Sequence, residues 1–139
     1  MLGGCTAGDD PPLPADCLQG EEALEEALAA APEPVRLGGG TPISTCVEQA
    51  SSTADMQNVG FLVVNVAERL RKQAAAGDEA AARELGYLVG AVQRGAERTS
   101  GTHLELAFRI SRVAGALGDP SPAITGALTE GIAAGERSG

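Results

Sequence analysis

The sequence predicts an all-α fold: an antiparallel bundle of about four main helices, preceded by two shorter N-terminal helices. Apolar residues recur at helical spacing in almost every segment after residue 19, and no segment shows the alternation of a half-buried strand. The breaks between segments are short, which favours antiparallel neighbours. With 139 residues, 43% of them hydrophobic and only 2% aromatic, the chain is expected to form one domain with an aliphatic core.

The two shorter helices are predicted within residues 20–34 and 41–51. In the first, Leu24 and Leu28 share a face, and Pro32 ends the helix. A turn-rich break covers residues 35–40. Thr41 is then a candidate N-cap, with Pro42 at the first helical position.

The main bundle is predicted over residues 54–135, where each helix has apolar residues along one face and polar residues elsewhere. Residues 136–139 are expected to fray. The predicted boundaries are about 54–76 after Ser52 or Thr53, about 79–98 after the cap Asp78, a third helix from the capping box of Thr102 and Glu105 to Gly118, and a last helix from Ser121-Pro122.

The N-terminus contains the tetrapeptide Leu2-Gly3-Gly4-Cys5, which resembles the lipobox of bacterial lipoproteins. The resemblance implies that Cys5 becomes the N-terminus and carries the lipid. Residues 6–16 have the composition of a tether, so residues 1–19 are predicted to be a lipobox and a flexible segment. A lipobox follows the apolar run of a signal peptide, so the resemblance requires a start upstream of Met1. It places the chain outside the cytoplasm, anchored to the cell membrane; a chance match would leave it cytoplasmic.

The cysteine count fits this resemblance. Three cysteines allow one disulfide, and lipidation of Cys5 would account for the odd thiol. Cys17 and Cys46 could then pair in an oxidising compartment, although both could instead be buried and reduced. A zinc site joining them to His103 is not expected, because the paired spacing of such sites is missing.

Charge argues against nucleic acid as a partner. The net charge is −9, and eight acidic residues but no basic residue precede Arg36. Nucleic-acid binding needs a positive surface instead. No apolar run reaches the roughly 18 residues of a membrane span, so membrane association would depend on the lipid.

One helix face combines cations with a tyrosine. Arg83, Tyr87, Arg94 and Arg98 cluster opposite the apolar stripe of the second main helix. They could bind an anion, an acidic partner or the acidic arm of the chain itself. We favour the simpler hypothesis of a solvated face. Glycines within the same helix, such as Gly86 and Gly90, favour close helix packing over a ligand pocket.

Two helices are apolar on two sides. Phe61 and Val64 point away from the stripe of the first main helix, and Leu104 and Phe108 do so on the third. Other parts of the chain are expected to cover them. A homodimer could cover them instead, and an exposed patch would mark a binding surface.

These patterns favour a cell-envelope lipoprotein that acts as a helical interaction module, binding an envelope protein or itself. The alternative is a small-ligand-binding protein with a pocket near Tyr87 and Arg94. A third hypothesis is an enzyme that uses His103, the single histidine. The sequence names no cofactor and no catalytic partners for this residue.

Overall fold

The computed structural model describes residues 11–99 and 101–139, and it confirms an all-α helical bundle. The described residues contain no β-strand. Leu2 to Cys5, the residues of the lipobox resemblance, lie outside the described residues. The helices are α1 (Glu21–Leu28), α2 (Ile43–Glu48), α3 (Thr53–Ala75), α4 (Glu79–Glu97), α5 (Thr102–Gly115) and α6 (Pro122–Ser138).

Helix α4 is the centre of the bundle. It packs against α2, α3 and α5, and most extensively against α6. Between Ala81 and Ala96, twelve of the sixteen residues are buried. The sequence predicted an apolar stripe backed by a solvated face. This prediction was wrong at Tyr87 and Gly90, which are buried where α6 packs on α4, whereas the side chain of Arg98 is half exposed. The covered face is rich in glycine, so it carries no apolar pattern for the sequence analysis to detect.

The contact between α4 and α6 is made by glycines, as the packing hypothesis predicted. Gly86 and Gly90 of α4 face α6, and Gly131 and Gly135 of α6 face α4. A Cβ atom at any of these four positions would lie less than 3.0 Å from backbone atoms of the opposite helix. The two backbones are therefore in direct contact, which only glycine permits.

Three of the predicted helix caps are confirmed. The side chains of Ser52, Asp78 and Ser121 accept hydrogen bonds from backbone N–H groups in the first turns of α3, α4 and α6. The capping box of Thr102 and Glu105 does not form. Gly101 occupies the N-cap position of α5 instead, so Thr102 already belongs to the first turn. Helix α5 ends at Gly115 rather than at Gly118.

The folded part of the chain begins earlier than the predicted residue 20. Residues Ala15–Leu18 form a 3₁₀ turn in which Asp16 and Cys17 are buried. Cys17 forms a disulfide with Cys46 of α2, and the two Cα atoms are 5.6 Å apart, within the usual range. The bridge fastens the N-terminal segment to the bundle.

The arm that contains α1 lies on α3. Leu24 and Leu28 are buried. On the outer side, Arg69 of α3 forms salt bridges with Glu21 and Glu25, the latter at 3.0 Å. The acidic arm therefore pairs with Arg69 and not with the arginine face of α4.

The C-terminal residues 136–139 were predicted to fray, and this prediction was wrong. Helix α6 continues to Ser138, and its last carbonyl groups accept hydrogen bonds from three side chains. Arg36 donates to Ser138, Arg94 donates to the two preceding carbonyls, and Ser44 donates to Gly139 at 2.6 Å. These donors supply partners that the end of an isolated helix lacks.

Candidate functional site

A solvent-exposed apolar surface lies where α3 and α5 meet. Phe61 of α3 is 68% exposed, Phe108 of α5 is 65% exposed, and Leu104 is 43% exposed. From the sequence, other parts of the chain were expected to cover these side chains. That prediction was wrong for all three residues, because α1 covers only the neighbouring side of α3, around Arg69. Val64 is half-buried against the core.

A cleft of about 430 Å³ runs along this surface between the two helices. Gly60 lacks a side chain here: a Cβ on it would meet Leu106 of α5 only at 3.9 Å. The helices therefore leave a groove beside Phe61. The groove is also lined by Met56, Gln57, Glu105, Leu106 and Arg109.

Charged residues of both signs follow the exposed face of α5. Glu105 precedes Phe108, and Arg109 and Arg112 follow it. Glu105 and Arg112 are 3.8 Å apart, and their side chains are 66% and 75% exposed, so this pair contributes little to stability. Glu105 borders both the cleft and a shallow depression beside Phe108. We call these six residues the α3–α5 surface: Phe61, Leu104, Glu105, Phe108, Arg109 and Arg112.

The apolar members of the α3–α5 surface were predicted from the sequence, but its charged members were not. The available signal was their spacing, because Glu105, Phe108, Arg109 and Arg112 lie at helical intervals opposite the buried stripe.

The arginine face of α4 is not a free surface. Tyr87 is fully buried, its hydroxyl accepts a hydrogen bond from the backbone N–H of Val35 at 2.9 Å, and it lies 3.3 Å from the hydroxyl of Ser138. The Tyr87 hydroxyl therefore links the backbone at Val35 to the end of α6. The hydroxyl group of a buried tyrosine normally has such hydrogen-bond partners.

The arginines of this face also have partners within the fold. Arg83 pairs with Glu130 of α6 at 3.3 Å, and Arg98 pairs with Glu48 of α2 at 3.1 Å. Arg94 donates to the carbonyls of Glu136 and Arg137, both at 2.8 Å. The backbones of α4 and α6 fill the space beside Tyr87 and Arg94. The geometry does not favour a ligand pocket there.

His103 lies against a backbone carbonyl. Its Nε2 is 3.0 Å from the carbonyl oxygen of Ala50, which requires Nε2 to carry the proton in the neutral ring. Its Nδ1 is buried and has no hydrogen-bond partner among the described residues. With Nε2 directed at this carbonyl, the ring nitrogen that keeps an unshared lone pair is the buried Nδ1.

The disulfide region carries a buried carboxylate. Asp16 accepts hydrogen bonds from the backbone N–H groups of Gly39 and Thr41 and from the Thr41 hydroxyl, at 2.8 to 3.2 Å. Burial disfavours the ionised form, but the hydrogen bonds from Thr41 and Gly39 outweigh it and lower the pKa of Asp16 below its ordinary value. Thr41 does not cap α2 as predicted: Pro42, expected at the first helical position, is the N-cap residue, and the Thr41 hydroxyl donates to Asp16 instead.

Among the described residues, no three or more histidine, cysteine or acidic side chains are grouped to hold a metal ion, and no helix is long and apolar enough to cross a membrane. Cys17 and Cys46 are bonded to each other, so neither supplies a thiolate for zinc. These features define a disulfide-fastened helical bundle with an exposed apolar surface between α3 and α5. No protein-family model, curated protein or solved structure matches this chain.

Proposed function

We propose that this protein is an interaction module of the bacterial cell envelope, anchored through a lipid on Cys5, that binds a protein partner through the α3–α5 surface. The proposal assigns binding rather than catalysis to the chain.

The observation that carries the proposal is the position of the phenylalanines. The chain contains two phenylalanines and no tryptophan, and both phenylalanines are about two-thirds exposed. The core is built almost entirely from aliphatic residues. A folding requirement would place the largest apolar side chains inside, whereas aromatic residues exposed together are typical of protein-binding surfaces.

The rest of the chain supports an envelope location. The disulfide between Cys17 and Cys46 suits an oxidising compartment. It also leaves Cys5 as the third cysteine of the chain, at the lipobox position. A lipid there would tether the bundle through residues 6–12, a segment with two adjacent acidic residues followed by two adjacent prolines; Leu13 already packs against the core.

The anchor is tested by mass spectrometry of the three cysteines in protein from the native host, alkylated before lysis and digested without reduction. The proposal predicts a lipid-modified Cys5 at the N-terminus and a peptide linking Cys17 to Cys46. Three alkylated thiols on an unmodified chain would contradict an envelope location.

The binding surface is tested by photo-crosslinking in the same host. A photoreactive phenylalanine analogue replaces Phe61 or Phe108, and the control replaces Thr129, which is exposed on α6. We expect a discrete protein adduct from positions 61 and 108 but not from 129. Equal labelling from all three positions, or no adduct from the first two, would contradict a specific α3–α5 interface.

A further inference from the structure

Helix α5 presents an exposed face that is complementary to itself. Along the helix axis, Glu105 lies three residues before Phe108 and Arg112 lies four residues after it. At a rise of about 1.5 Å per residue these offsets are about 4.5 and 6 Å. A two-fold axis that passes at the level of Phe108, perpendicular to the helix, would pair α5 with an antiparallel copy. Measured along the helix axis, each Glu105 would then lie within about 1.5 Å of the level of the partner copy's Arg112.

From this arrangement we infer that the occupant of the α3–α5 surface is a second copy of the same chain, with the two α5 helices antiparallel about Phe108. The inference rests on the proposed function and names its partner. An isologous contact uses the same patch twice, so it must be self-complementary in charge. Glu105 and Arg112 meet this condition on both sides of the axis.

The shape of the surface agrees with the charge. A shallow depression beside Phe108 is lined by Ser111, Arg112 and Gly115. A Cβ on Gly115 would meet nothing within 4 Å, so the depression is open. In the antiparallel arrangement the Leu104 of the second copy lies about 6 Å from the level of Phe108 along the helix axis, which is the level of this depression. The exposed leucine of each copy thus faces an open hollow on the other.

The available area indicates a weak dimer. A phenylalanine presents roughly 150–250 Å², and about two-thirds of that is exposed at Phe61 and at Phe108, so the four rings of two copies supply roughly 500 Å². Leu104 and the aliphatic parts of the charged residues must supply the rest of the ~1,200 Å² of a small specific interface. A dissociation constant in the micromolar range is expected for such a dimer. Anchoring both copies in one membrane would raise their effective concentration.

The test uses the 139-residue chain with Cys5→Ser, oxidised so that the disulfide is intact, and measures its mass by sedimentation from about 1 to 300 µM. We expect a reversible monomer–dimer equilibrium. Phe108→Ser removes both rings at the axis and should weaken dimerisation by more than about 100-fold, because central aromatic residues dominate such interfaces.

Charge reversal separates the proposed pairing from general effects of charge. Glu105→Arg and Arg112→Glu should each weaken the homodimer by about tenfold, since each places like charges together twice. A mixture of the two variants should form a heterodimer at close to the original affinity, because every pair in it is again opposite in sign. Glu97→Arg and Arg137→Glu, at exposed positions of α4 and α6, are matched controls for net charge. Glu105→Arg also reduces the net negative charge of the chain. If general repulsion between two negative chains controlled dimerisation, this variant would therefore form a stronger dimer, the opposite of the result expected here.

The outcomes distinguish this inference from the proposed function. A folded chain that stays monomeric at 300 µM, or a dimer that resists Phe108→Ser and both reversals, would overturn the inference. The proposed function would survive that result if positions 61 and 108 crosslink to a protein other than this chain. Crosslinks to a second copy, with rescue in the variant mixture, would support both.

Discussion

Gly131→Ala should destabilise the protein, although helix propensity alone predicts the opposite. Alanine in a helix interior is favoured over glycine by about 1 kcal/mol. At Gly131, however, a Cβ would lie 2.8 Å from the backbone nitrogen of Tyr87 and closer still to the carbonyl oxygen of Arg83. Ordinary Cβ contacts begin at 3.4 Å, so the contact with Tyr87 alone requires α6 to move away from α4 by 0.6 Å, and the closer carbonyl oxygen of Arg83 requires more.

The cost of this shift follows from the packing of the two helices. A gap of about 0.5–1 Å forfeits a quarter to a half of the dispersion energy of each contact across it. The neighbours are backbone atoms, so no change of rotamer relieves the overlap. Overpacking of this kind costs about 1–3 kcal/mol and occasionally more, and we place Gly131→Ala at the upper end. After the gain in helix propensity, the net loss is about 2 kcal/mol.

Gly126 provides the matched control in the same helix. A Cβ at Gly126 would meet nothing within 4 Å. Gly126→Ala should therefore stabilise the protein by up to about 1 kcal/mol, which makes the difference between the two variants about 3 kcal/mol. Urea unfolding of the oxidised chain, followed by far-UV circular dichroism, measures both free energies. A Gly131→Ala variant as stable as the Gly126→Ala variant would refute the direct backbone contact between α4 and α6.

Three further predictions concern the disulfide, a buried carboxylate and the end of α6. Replacing Cys17 and Cys46 by serine should lower the free energy of unfolding by roughly 3–4 kcal/mol, measured in urea against the oxidised chain. Asp16 has a lowered pKa in the folded state, so its ionised form stabilises the fold above the usual aspartate pKa of about 3.9. The stability advantage of the native chain over Asp16→Asn should be complete above that pH and should shrink as the pH falls through the lower folded pKa; an advantage independent of pH would contradict this. Arg94→Ala should cost about 1–2 kcal/mol and speed hydrogen exchange at the end of α6, because Arg94 donates to two carbonyls there. Arg98→Ala, which breaks only an exposed pair, should cost less than about 1 kcal/mol.

The helices were predictable because their signals are local. The N-caps predicted from the sequence are also the N-caps of the structure at Ser52, Asp78 and Ser121. They were predictable because an N-cap side chain accepts a hydrogen bond from a backbone N–H only two or three residues away. Apolar spacing identified the buried stripes for the same reason. The pairing of Cys17 with Cys46 was expected from the cysteine count and the resemblance of the N-terminus, and the described fold contains it.

The candidate site was only partly predictable. The pattern predicted that Phe61, Leu104 and Phe108 belong to a second apolar face, but this face was expected to be covered by the chain, and it is exposed. Periodicity shows which side chains share a face. It does not show whether another helix is close enough to cover that face, because coverage depends on contacts between residues that are distant in sequence.

What the sequence determined by itself was the number, order and approximate limits of the helices. Only the tertiary structure decided that α4 is central, that Tyr87 is buried and that the end of α6 is held in place. The physical reason lies in residues such as Gly90 and Gly131. The sequence shows only that these residues are glycines. It does not show whether solvent or another backbone occupies the space that a side chain would fill, so it permits the close approach of two helices without specifying it.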